Sequence, residues 1–134
     1  MIALDTNVLI YAYDGAEPKR QQTAVELIAT VKDTVLLWQV ACEFIAASRK
    51  LNGQGFTTAD AWNLLAELLG LFPLVTPSAN VLDRAKQLHL LHQVSFWDAA
   101  ILAACQEANI DTLYSEDVPG LANLGSLRVV NPFG

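Results

Sequence analysis

The sequence predicts an α/β fold: a mostly parallel sheet with helices on both faces. Three observations carry this prediction. Short apolar runs at Ile2–Leu4, Val35–Leu37, Leu71–Val75, Thr112–Tyr114 and Leu127–Val130 alternate with longer stretches of helical periodicity, the pattern of crossover connections between parallel strands. Glycines and prolines, among them Gly53, Gly55, Pro77 and the Pro119–Gly120 pair, fall between these segments. The chain has 134 residues, 53% of them hydrophobic. A chain of that length buries roughly two-thirds of its unfolded surface, so one core suffices without disulfide or metal staples. Residues 1–134 are therefore expected to form one domain, with no repeat, low-complexity stretch or linker to divide them.

The elements follow in order. Ile2–Leu4 reads as a buried strand ending at Asp5, and Val8–Tyr13 as a first helix. Lys19–Val31 places Thr23, Leu27 and Val31 on one helical face. Val35–Leu37 is the second strand, followed by a helix over Val40–Lys50 with two bases at its end, where the helix dipole favours them. Thr57-Thr58-Ala59-Asp60 has capping-box spacing ahead of a helix over Ala61–Leu69. Leu71–Val75 is the third strand. Beyond Pro77-Ser78, Val81, Leu82, Ala85, Leu88 and Leu91 form an apolar helical stripe. Ser95–Glu107 is the last helix, before strands at Thr112–Tyr114 and around Leu127–Val130.

Composition narrows the function. Only 16% of residues are charged, which excludes a disordered acidic tail. Glu67 interrupts the Leu64–Val75 stretch and Ala99–Cys105 is too short to span a bilayer, so no transmembrane helix is expected. The start of the chain carries an acid at its fifth residue and no basic segment, so no signal peptide is expected and the chain should stay in the cytoplasm. Its two cysteines, Cys42 and Cys105, sit in apolar helical contexts and read as buried reduced thiols. With 14 acids against 8 bases and a net charge of −6, nonspecific nucleic-acid binding through overall charge is disfavoured.

A site where acids do the chemistry remains open. In open parallel sheets ligands bind beyond the carboxyl ends of the strands, near the point where strand order reverses. Asp5 directly follows the first strand and Asp117 follows the Thr112–Tyr114 strand by two residues. Asp98 lies in the first turn of the helix opening at Ser95, and Glu43 is an isolated charge among Ala41, Cys42, Phe44 and Ile45. Each has a plain structural explanation: Ser95-Phe96-Trp97-Asp98 is itself a capping box, Asp5 and Asp117 can make turns with their own backbone, and Glu43 can face solvent. Together the four can converge on one rim, where they would repel by roughly 4 kcal/mol per close pair at moderate dielectric. A divalent cation relieves that repulsion, and an all-oxygen donor set suits Mg²⁺ or Mn²⁺ rather than zinc. Such a cluster supports hydrolysis of phosphodiesters, with one carboxylate able to accept the proton of the attacking water. Thr6, Asn7 and Ser115 lie beside these acids and can orient them, although Thr6 or Asn7 can equally start the first helix.

Leu4-Asp5-Thr6-Asn7-Val8-Leu9-Ile10, the mid-chain Glu43, Ser95-Phe96-Trp97-Asp98-Ala99 and Leu113-Tyr114-Ser115-Glu116-Asp117 together resemble the PIN domain, especially VapC-type toxins of bacterial toxin–antitoxin pairs. The resemblance spans the whole chain, in order. It implies a metal-dependent endoribonuclease with a three-layer α/β/α fold and a parallel sheet of about five strands. It also implies Mg²⁺ or Mn²⁺ held by the acids, homodimerisation, and inhibition by a cognate antitoxin. Residue by residue, Asp5, Glu43, Asp98 and Asp117 match the family's acidic quartet, and Thr6 and Ser115 match its accompanying polar residues. Glu116 falls at a variable position and is held as an accessory ligand only. The family pattern assigns no substrate contacts; Lys19, Arg20, Arg49 and Lys50 are the candidates for phosphate.

Other residues compete for attention. His89 and His92 have a spacing that can bind metal, but at a helix C-terminus histidine more often complements the dipole. Trp62 and Trp97 fall in helical apolar patterns and read as core, whereas Trp38 and Gln39 lie near the expected rim. Leu64, Leu65, Leu68, Leu69 and Leu71 form core or a dimer surface. Two rival functions stand beside the nuclease: a metal-binding regulatory module such as a phospho-accepting receiver, which needs a late lysine where none occurs after Lys86, and an inactive PIN-like scaffold that acts by binding protein.

Overall fold

A computed structural model describes residues 1–121 and 124–134. The strands are β1 (Ile2–Leu4), β2 (Thr34–Leu37), β3 (Leu74–Val75), β4 (Thr112–Tyr114) and β5 (Arg128–Val130), all parallel, in the order β3-β2-β1-β4-β5. The helices are α1 (Thr6–Tyr11), α2 (Pro18–Thr30), α3 (Trp38–Ala47), α4 (Thr58–Leu71), α5 (Ala79–His92) and α6 (Phe96–Glu107), with a 3₁₀ segment over Ser48–Gln54. The chain steps from β1 outward through β2 to β3, then crosses back to β4 on the other side of β1. Right-handed crossovers therefore put α1–α4 on one face and α5 and α6 on the other, giving three layers. In agreement, α1 packs on α2 and α3, α3 on α4, and α5 on α6.

The reversal of strand order falls between β1 and β4. They pair in register, Ile2 with Thr112 and Leu4 with Tyr114, and the Asp5 N–H donates to the Tyr114 carbonyl at 2.9 Å just past both strand ends. Ala3, Leu36, Leu37 and Leu113 are buried because both faces of the central strands are covered, so these strands read as apolar runs without alternation. Phe44, Leu9, Ile101 and Leu102 fill the space between sheet and helices.

Several elements differ from the sequence expectation. Helix α1 begins at Thr6, capped by Asp5, because the side chain of Asp5 accepts the Thr6 N–H at 2.7 Å. Helix α3 starts directly after β2 at Trp38 and gives way at Ser48 to 3₁₀ geometry, so Arg49 and Lys50 do not close an α-helix. The expected third strand shrinks to Leu74–Val75: α4 continues through Leu71 and is stopped by Phe72, which precedes Pro73 and is pushed to extended backbone. On α2 only Ala24 is buried, and on α5 Leu82 and Leu91 face outward while Val81, Ala85 and Leu88 face the core. Leu65 and Leu68 of the leucine cluster are core, and Leu69 and Leu71 are exposed. Trp62 and Trp97, expected in the core, are 57% and 63% exposed. Cys105 is buried as expected, but Cys42 is exposed; both are free thiols. Among the described residues no helix is long and apolar enough to cross a membrane.

Candidate active site

The carboxyl ends of β1 and β4 open into a cavity of about 440 Å³ lined by Asp5, Glu43, Asp98 and Asp117, with Thr6 and Asn7 beside them. All four predicted acids thus reach one hollow, each from a different element. Asp5 is the cap between β1 and α1 and is only 7% exposed. Its Oδ1 accepts the Thr6 N–H at 2.7 Å, and its Oδ2 accepts the Ser115 hydroxyl at 2.7 Å. Burial raises its pKa above the ordinary carboxylate value; the neighbouring charges of Glu43 and Asp117 push the same way, and the hydrogen bonds from Ser115 and Thr6 oppose them.

Glu43 lies in the middle of α3, held by two donors: Thr6 Oγ1 to Oε2 at 3.0 Å and Gln39 Nε2 to Oε1 at 3.0 Å. Gln39 also donates to the Trp97 carbonyl at 3.3 Å, tying α3 to the start of α6. The i, i+4 spacing of Gln39 and Glu43 was the available sequence signal for this clamp. Asp117 accepts from Asn7 Nδ2 at 3.2 Å, and the same amide nitrogen approaches Asp5 Oδ2 at 3.5 Å, so Asn7 bridges two of the acids. Asp98 occupies the first turn of α6, where its N–H donates to Ser95 Oγ at 3.1 Å. Only this half of the expected capping box forms. Among the described residues the Asp98 carboxylate accepts no hydrogen bond, which leaves it free toward the cavity.

Glu116 is placed differently from its four neighbours in the motif. Its Oε1 accepts from Arg20 Nε at 3.0 Å and Nη2 at 2.7 Å, and the Tyr11 phenol is bonded to the same carboxylate. Hydrogen bonds from Tyr11 and then Arg20 hold the Glu116 carboxyl below its ordinary range, while the Tyr11 hydroxyl is pushed up to about 12, first by that hydrogen bond and then by burial. Glu116 therefore buttresses Arg20 outside the cavity lining instead of joining the acids. Sequence reasoning also missed Tyr11, Asp14 and Glu17, which line the cavity; Asp14 and Glu17 sit in the polar approach to α2, where acids carry no distinguishing pattern. His89 rests against the Phe96 ring and does not line the cavity.

None of the four acids has an ion pair among the described residues: the side-chain pairs formed are Arg20 with Glu17 and Glu116, and Arg84 with Glu107. The donor set is all oxygen and carries excess negative charge, the chemistry that fits Mg²⁺ or Mn²⁺. As they stand the carboxylates share a cavity rather than a coordination sphere, since among the described residues no three His, Cys, Asp or Glu side chains are gathered closely enough to enclose an ion.

The sequence profile of the PIN domain matches residues 2–119. No curated protein matches the chain in sequence. Among solved structures, one chain of a toxin–antitoxin complex from Klebsiella pneumoniae superposes with a TM-score of 0.71 at 20% identity, covering 98% of each chain. VapC20 of Mycobacterium tuberculosis, a sarcin-ricin-loop-cleaving toxin, superposes at 0.70 with 18% identity over 96% of this chain and 99% of that one. A chain of FitAB bound to a DNA fragment reaches 0.71 at 18% identity, over 100% of this chain and 96% of its own.

Proposed function

The chain belongs to the PIN domain family, and on that premise we propose that it is a Mg²⁺- or Mn²⁺-dependent endoribonuclease, the toxin of a toxin–antitoxin pair. One observation carries the reading: four carboxylates from four elements line one cavity at the topological switch point, and none has a cationic partner among the described residues. Unpaired carboxylates at one hollow are costly for a fold unless a ligand uses them.

Asp5, Glu43, Asp98 and Asp117 are the residues that would hold the metal. Bound there, a divalent ion lowers the pKa of a water and neutralises charge on a scissile phosphate. The chain's own groups prepare the rest. Ser115 and the Thr6 N–H fix both oxygens of Asp5, and Thr6 and Gln39 fix both oxygens of Glu43. Asn7 spaces Asp117 from Asp5. In this reading Asp98, whose oxygens accept no hydrogen bond among the described residues, takes the proton of the attacking water.

RNA as substrate is supported by the VapC20 neighbour, and an antitoxin partner by the Klebsiella complex. We place the activity in the cytoplasm, in a single domain over residues 1–134. Homodimerisation is supported by a second, apolar hollow of about 450 Å³ that exposes Trp38, Leu82, Phe96 and Trp97. The test is cleavage of single-stranded RNA with Mg²⁺, with Mn²⁺ and with EDTA, comparing the wild type with Asp5→Asn and Asp98→Asn. Each variant should lose roughly 100-fold or more, and EDTA should stop the wild type. Metal-independent cutting that survives both substitutions would overturn the reading. A neighbouring gene for a small protein with a DNA-binding N-terminus is expected for a toxin.

A further inference from the structure

Four bases were candidates for phosphate contacts, and the structure separates them. Arg20 is committed to Glu116 and Glu17, and Lys19 is exposed on α2 outside the cavity lining. Lys50 instead lines the acidic cavity itself, and Arg49 and Lys50 together line an adjoining hollow that shares Thr6 and Glu43 with it. The two hollows are one continuous surface that passes from carboxylates to cations across Glu43.

Both cations are exposed, and among the described residues neither pairs with a carboxylate. Of the eight bases only Arg20 and Arg84 pair with a carboxylate side chain among the described residues, so what sets Arg49 and Lys50 apart is their place on this lining. Their backbone is fixed. Ser48 and Leu51 on either side are buried at 2% and 0% exposure, the Ser48 hydroxyl donates to the Ile45 carbonyl at 2.7 Å, and the segment closes on Gly55 in the left-handed region at φ 84°. A rigid turn therefore presents two adjacent cations at the edge of the acidic hollow, and positioning them costs little at the moment of binding.

The acidic hollow, about 440 Å³, has room for roughly one nucleotide, and the adjoining hollow extends it past Glu43 to the two cations. Resting on the nuclease reading above, we propose that Arg49 and Lys50 form the phosphate subsite for the nucleotide next to the scissile bond. The contact is electrostatic and sequence-independent, so it sets affinity and register and leaves base choice to other residues.

The experiment is steady-state cleavage of a fluorescein-labelled single-stranded RNA oligonucleotide in Mg²⁺ over a KCl series, with anisotropy titrations of the same probe in EDTA. Arg49→Ala and Lys50→Ala should each raise KM about 10-fold with kcat unchanged, and each should flatten the dependence of log affinity on log salt by about 0.7, the value for one phosphate on a single strand. Lys50→Arg should retain most of the affinity, and Lys86→Ala on the exposed side of α5 should change nothing. Unchanged KM and salt slope in the Arg49→Ala, Lys50→Ala double variant overturn the subsite, as does a loss confined to kcat. If the wild type leaves the RNA intact, the nuclease reading has failed, and the anisotropy slopes decide the phosphate subsite by themselves.

Discussion

Ser115 Oγ makes three hydrogen bonds at once. It donates to Asp5 Oδ2 at 2.7 Å and accepts the N–H groups of Asp117 and Val118 at 3.2 and 3.0 Å. At 1% exposure no water replaces it, so Ser115→Ala leaves a buried carboxylate and two amides short of a partner. The expected loss is about 2–3 kcal/mol of stability, read from the midpoint of urea unfolding; an unchanged midpoint would show that the rim relaxes around the gap. The cysteines give a second test. Burial, and secondarily the charge of Asp5, pushes the Cys105 thiol from 9.0 up to about 12, while Cys42 is exposed. Iodoacetamide at neutral pH should label Cys42 and spare Cys105 until the chain unfolds. The pH dependence follows from the same shift. Above about 9 the unfolded chain releases a thiol proton that the folded chain retains, so Cys105 lowers stability as pH rises from 9 toward 12 and contributes nothing below that window. Cys105→Ala should flatten that part of the stability profile.

At the scale of elements, strand and helix order were legible because the central strands are covered on both faces and the caps carry side-chain signals. Thr57 and Asp60 form both halves of the expected capping box at the start of α4. Thr57→Ala should cost about 1 kcal/mol, seen as a lower melting temperature. The motif acids were also legible by position, since Asp5, Asp98 and Asp117 sit at strand or helix ends and Glu43 stands alone among apolar neighbours. What the sequence hid was direction. The same apolar periodicity describes a helix facing the core and one facing an outer groove, so Trp62 and Trp97 looked like core and lie exposed. The Arg49-Lys50 pair looked like a helix end because nothing local distinguishes α from 3₁₀ geometry there. Glu116 could not be told from Asp117 until Arg20, 96 residues earlier, came to meet it.

For the whole molecule, the unpaired acids predict that metal binding and folding are coupled. Mg²⁺ should raise the melting temperature in proportion to the logarithm of its concentration once above Kd, and the rise should shrink in Asp98→Asn; a temperature insensitive to Mg²⁺ in the wild type would remove the metal site. The apolar hollow that exposes Trp38, Leu82, Phe96 and Trp97 predicts a dimer in sedimentation, with Leu82→Glu shifting it to monomer. Finally, the rim is sewn from the two ends of the chain: Ser115 and Asp5 are bonded across 110 residues, and β1 finds β4 only after everything between has been made. During synthesis from the N-terminus, Asp5, Glu43 and Asp98 all emerge before the strand that gathers them. A chain cut before Asp117 should therefore fail to assemble the rim and should leave the RNA of the cleavage assay intact, however long it is given to fold.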